Sequence, residues 1–105
     1  MVGNSASEYT LEISGYSGTA GDSMIADHNL DGMQFSTYDR DNDQWLNNCA
    51  DMFDSGWWFN ACFYANLNGV YRHGTTPNIW EGIIWNTFTT NSQSLKYADM
   101  KIRCY

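Results

Sequence analysis

The sequence predicts a small α+β domain, loop-rich, with short antiparallel strands, one or more short helices and few regular elements overall. Three observations point there. Apolar and polar residues alternate only in brief stretches. The middle of the chain, Asp39 to Trp80, is crowded with Asn, Asp, Gly and aromatic residues and shows little helical periodicity. At 105 residues the chain has room for one domain and a modest core.

YTLEI, Tyr9 to Ile13, alternates as a half-buried strand does. GYSGTAGDSM follows, with Gly15, Gly18 and Gly21 three apart, and reads as a loop. It lacks the Lys-Ser/Thr of a phosphate loop. GMQFSTYD, Gly32 to Asp39, sets Met33 and Phe35 among polar neighbours and predicts a short strand. NNCADMF, Asn47 to Phe53, predicts a short helix with Asn or Asp as its cap. GWWFNACFYANLNGVY, Gly56 to Tyr71, reads as core-forming, and its asparagines as turn-makers. LKYADMKIRC alternates at Met100, Ile102 and Cys104 and predicts a closing strand. No repeat or low-complexity tract interrupts the chain, and Pro77 is its single proline.

Composition narrows the function classes. Five Trp, seven Tyr and five Phe are too many for a disordered segment. Twelve acidic residues against five basic leave a net charge of -7, which disfavours nucleic acid and anionic membranes and suits divalent cations. No apolar run reaches the roughly 20 residues of a membrane span. The first residues carry neither the basic nor the apolar region of a signal peptide. Met1 therefore reads as an introduced start or the start of a shortened chain.

Asp39, Asp41 and Asp43 alternate just before Cys49. They match the first carboxylate positions of an EF-hand, but Gln44 stands where that loop needs glycine and Ala50 where it needs glutamate. An exposed acidic turn and a calcium loop both remain open. Cys49, Cys62 and Cys104 form no CxxC pair, so a zinc ribbon is not supported. One disulfide with a leftover thiol, or three buried thiols, satisfies the count. Enzyme signals are weak. His28 and His73 are the only histidines, no HExxH occurs, and GYSG is one residue short of GxSxG.

Taken together, YTLEISGYSGTAGDSM, GMQFSTYDRDNDQWLNNCADMF, GWWFNACFYANLNGVY, WEGIIW and SLKYADMKIR resemble the fibrinogen-related domain of fibrinogen chains, ficolins, tachylectins and angiopoietins. The resemblance covers nearly the whole chain. It implies that residues 1–105 are the C-terminal part of a domain roughly twice as long, without its N-terminal subdomain. Exposed sheet edges would then call for dimerisation or another cover.

The resemblance also implies a calcium site built from the carboxylates of Asp41 and Asp43 and the carbonyls of Trp45 and Asn47. It implies a Cys49–Cys62 disulfide, a cis peptide at Ala61–Cys62 and an extracellular setting. Lectins of the family hold N-acetylated sugars beside that disulfide, between largely tyrosine walls, with an alanine in the wall and a histidine after the second cysteine. Here the wall positions are Phe53, Ile79, Trp80 and Asn91, beside Ala61 and Cys62, and Phe63 takes the histidine's place. Calcium binding therefore carries over better than acetyl specificity. The expected function is a secreted, non-enzymatic recognition module, binding carbohydrate or microbial cell-wall components in innate defence. The alternative is a protein receptor ligand or assembly module. Cys104 would pair with the missing part or with a second chain.

Overall fold

A single helical turn, α1, spans Cys49–Phe53. The Asn48 side chain accepts the Asp51 N–H at 3.1 Å and starts it, as an N-cap should. Asp54, at φ 53°, ends it in the left-handed conformation. The expected helix is therefore present, shorter at its start by the two asparagines. The computed structural model describes residues 1–73 and 78–103. Pro77 and Cys104 lie outside the described residues.

Two strands form one antiparallel pair: β1, Ala65–Asn66, and β2, Ile84–Trp85. Ala65 faces Trp85 and Asn66 faces Ile84. A 3-10 turn at Ser5–Ser7 follows Asn4, whose side chain accepts the Ala6 N–H.

The expected strand at Tyr9 to Ile13 does not form. Glu8 and Tyr9 have φ of 55° and 58°, which breaks extension at its start. Leu11 alone pairs there, bridging to Val2, and its backbone also bonds Met33 and Gly32. The expected strand at Gly32 to Asp39 is reduced to single bridges, Ser36 to Trp57 and Thr37 to Arg40. The expected closing strand has no ladder partner among the described residues. Met100 and Ile102 stand 45% and 67% exposed. Alternation is necessary for a half-buried strand, but a strand also needs an edge to pair with.

The core gathers on the GWWF segment. Trp57 and Phe59 are fully buried and Trp58 nearly so, with Leu11, Leu30, Phe63, Ala65 and Ile84 packed around them. The tryptophans are thus core residues, as expected for that segment. Trp58 Nε1 donates to the Tyr9 carbonyl at 2.8 Å, tying the N-terminal loop to the core.

The asparagines do what their side chains allow in loops, bonding backbone that has no ladder partner. Asn42 Nδ2 donates to the Phe35 carbonyl, Asn48 Nδ2 to Tyr38, Asn60 Nδ2 to Asn29 and Asn68 Nδ2 to Gly56. Asn66 is fully buried and donates to Ser55 Oγ at 3.0 Å.

Candidate functional site: a cleft beside the disulfide

Cys49 and Cys62 are joined in a disulfide, and the Ala61–Cys62 peptide is cis. The bond ties α1 to the segment that leads into β1. Beside it opens a cleft of ≈ 270 Å³. Phe53, Ala61, Cys62, Phe63 and Trp80 line it, and so do His28 and Trp45.

Aromatic contacts fix the walls. Phe63 is only 3% exposed and meets Phe53 edge-on at 4.9 Å and Trp80 edge-on at 5.7 Å. Trp80 in turn stacks on Tyr64 at 5.4 Å, and His28 meets the Tyr64 ring at 5.1 Å. Such offset and edge-to-face pairs are the favoured geometries of aromatic rings. The Asp27 carboxylate near the Tyr64 hydroxyl pushes the phenol pKa upward. Trp80 holds φ at 67°, unusual for so large a residue, and its N–H donates to the Asn91 carbonyl.

Not every expected wall residue enters the cleft. Ile79 is 60% exposed and lines an adjoining hollow of ≈ 200 Å³ on the other side of Phe53. Asn91 contributes its backbone to Trp80 and does not line the cleft. Sequence reasoning missed His28 and the Trp45 ring. His28 arrives on a turn held by buried Leu30 and by the Asn60–Asn29 bond, a contact across 31 positions that no local pattern announces.

The acidic loop packs against the same wall. Asp43 is its hub. One carboxylate oxygen accepts the Trp45 N–H and the other the Cys49 N–H, both at 2.9 Å. Asp41 Oδ1 accepts the Asp43 N–H at 3.2 Å. Burial pushes the Asp43 carboxyl upward and the neighbouring Asp41 adds to that, while the two N–H donors oppose it. Arg40 clamps the loop from outside, with Nε donating to Glu8 Oε2 at 2.7 Å and a second nitrogen on the other oxygen. Asp39 instead accepts the Thr37 hydroxyl.

The residues of this loop suit a calcium ion. Its donors would be hard oxygens, two carboxylates and two carbonyls, the kind calcium takes. The Trp45 and Asn47 carbonyls accept no hydrogen bond among the described residues. No group of three His, Cys, Asp or Glu side chains assembles among the described residues, so carbonyls would have to complete the shell.

The whole chain, residues 1–105, matches the C-terminal globular domain of fibrinogen beta and gamma chains. It belongs to the fibrinogen C-terminal domain family. Among curated relatives it is 42% identical to the fibrinogen alpha chain of Gallus gallus, over 98% of this chain and 16% of that protein. It is 47% identical to fibrinogen-like protein 1 of Mus musculus, over 97% of this chain and 35% of that protein. The chain therefore spans well under half of these relatives. Among solved structures, the fibrinogen-like globe domain of human ANGPTL6 superposes with a TM-score of 0.82 at 36% identity, covering 90% of this chain and 42% of that one. Lamprey fibrin D-dimer, solved with the peptide ligand Gly-His-Arg-Pro-amide, superposes at 0.78 with 34% identity, covering 90% and 35%. The chain thus has the fibrinogen-like fold, and it carries the disulfide, the acidic loop and the cleft. No helix among the described residues is long and apolar enough to cross a membrane.

Proposed function

We propose that the chain is the ligand-binding part of a secreted fibrinogen-like module whose disulfide cleft takes an apolar side chain from a protein or peptide partner. One observation carries this reading. Four aromatic rings, Trp45, Phe53, Phe63 and Trp80, wall the cleft, and His28 is the single ionisable side chain among the described residues that line it. An apolar anchor fits such walls, whereas a sugar needs convergent hydrogen-bonding groups for its hydroxyls. The mode is binding without chemistry. Residues 1–105 act as the C-terminal part of the domain, and a homo-oligomer would raise avidity by multivalency. The disulfide supports the extracellular setting.

Carbohydrate or microbial cell-wall recognition in innate defence is the second reading. It is favoured by the part-exposed faces of Trp45 and Trp80, which suit the C–H faces of sugars. A displayed-peptide selection beside a glycan array, each with and without chelator, separates the two. The first reading expects peptides with a shared apolar anchor, lost with Trp80→Ala. Chelator-sensitive glycan signals with no peptide enrichment overturn it.

The loop is read as a calcium site that braces the cleft wall, with Asp41 and Asp43 as side-chain ligands and Trp45 and Asn47 as carbonyl ligands. Calcium should raise the melting temperature of the native chain, and Asp41→Ala with Asp43→Ala should remove that rise. A melting curve indifferent to calcium rejects the site.

A further inference from the structure

A second cleft, of ≈ 410 Å³, lies between residues 71–73 and 89–96, away from the disulfide. Tyr71, Arg72, His73, Thr89, Ser94 and Lys96 are among its lining residues. It holds two of the five Lys and Arg residues and one of the two His. No Asp or Glu is among the described residues that line it, in a chain with twelve of them. A charge-segregated hollow of this kind raises the local concentration of anions.

Its floor is built, not merely exposed. Ser94 Oγ accepts the Ile83 N–H at 3.0 Å. Gly82, at φ 102°, leaves room that a Cβ would close: it would fall 2.7 Å from Ser94 Cβ and 3.4 Å from Arg72 Cγ. The Arg72 stem therefore packs on the floor. One guanidinium nitrogen pairs with Glu81 at 2.9 Å, and Glu81 lines the hollow beyond Phe53 instead. Arg72 Nε is buried with no acceptor among the described residues, a rare condition for a charged donor. Tyr71 and His73 meet edge-on at 5.1 Å and form an aromatic lip. Arg72 and Lys96 bring two positive charges and Glu81 cancels one. The remaining single charge matches a singly charged oxyanion.

We propose that this cleft binds a carboxylate-bearing ligand, the carboxylate between Arg72 and Lys96 and its apolar body against Tyr71. The site is independent of the disulfide cleft. The test is an amide chemical-shift titration of the whole chain with benzoate, with benzyl alcohol as the neutral analogue and sulfate as the competing oxyanion. Benzoate should give saturable shifts confined to residues 71–73 and 93–96, weakening as salt rises. Benzyl alcohol should give none, and sulfate should bind less tightly. Lys96 is exposed, so its variants should keep the fold. Lys96→Gln should weaken benzoate about threefold, in the range of an exposed ion pair, and Lys96→Glu more. Equal shifts with benzyl alcohol, tighter sulfate binding, or unchanged affinity in Lys96→Glu would each overturn the assignment.

Discussion

Residues 36–66 and 96–103 are both poor in regular structure, yet they are held in different ways. In the first region nearly every turn is fastened by a side chain: Asn42, Asn48 and Asn60 to carbonyls, Asp43 to two N–H groups, Cys49 to Cys62. Its aromatic residues Trp57, Phe59 and Phe63 are buried. In the second region Tyr97, Met100 and Ile102 point outward, and the bonds among the described residues stay within it, Tyr97 and Lys101 both to Asp99. Loops become stable parts of a fold when their own side chains complete the backbone's hydrogen bonds and an apolar side is covered. The first region meets both conditions within this chain. The second meets neither among the described residues.

Three variants test that contrast, beside one at the joint between Gly69 and Gly82 that sets the scale. Gly69→Ala should have the largest effect. Its Cβ would fall 1.8 Å from the Gly82 carbonyl oxygen, a backbone atom that cannot swing aside. A loss of about 3 kcal/mol or more in urea denaturation is expected from overpacking of this kind. Next comes the double change Cys49→Ala and Cys62→Ala, which opens a closure of 13 residues. Loop entropy predicts a loss of about 3 kcal/mol under oxidising conditions, and the same variant should behave like the parent once the parent is reduced. Asn48→Ala should cost about 1 kcal/mol by removing the cap of α1, read as a lower denaturation midpoint at unchanged slope. Ile102→Ser should change stability by less than about 0.5 kcal/mol, because the side chain is already in water. A cost above about 1 kcal/mol at Ile102 would mean that a partner covers this face in solution, and the contrast between the two regions would fall.

Legibility in the sequence follows the same divide. The helix at Asn47 to Phe53 could be read because its signal is local: a cap residue and a short apolar face. The core role of Trp57 and Trp58, and the turn-making role of the asparagines, could be read for the same reason. The resemblance to fibrinogen-related domains carried the disulfide partner and the cis peptide, which spacing alone left open. The strands at Tyr9 to Ile13 and at Met100 to Ile102 could not be judged locally, since alternation specifies a face but not a partner. His28 has no local signal as a cleft residue, because buried Leu30 and the bond from Asn60 to Asn29, 31 positions apart, bring it there. Ile79 and Asn91 were placed with the cleft by family position, and the turn at Trp80 separates them from it. The cleft at Arg72 and Lys96 has no motif at all, since its charges come from segments more than 20 residues apart.

The two N–H groups gripped by Asp43 belong to Trp45, which lines the disulfide cleft, and to Cys49, which anchors it. One carboxylate is thus shared by the loop and the cleft, and thermodynamic reciprocity applies to the pair. If the loop holds a cation at Asp43 as proposed, whatever factor that cation lends to a ligand resting on Trp45, the ligand returns to the cation. The coupling factor measured from the cation's side and from the ligand's side should then be the same.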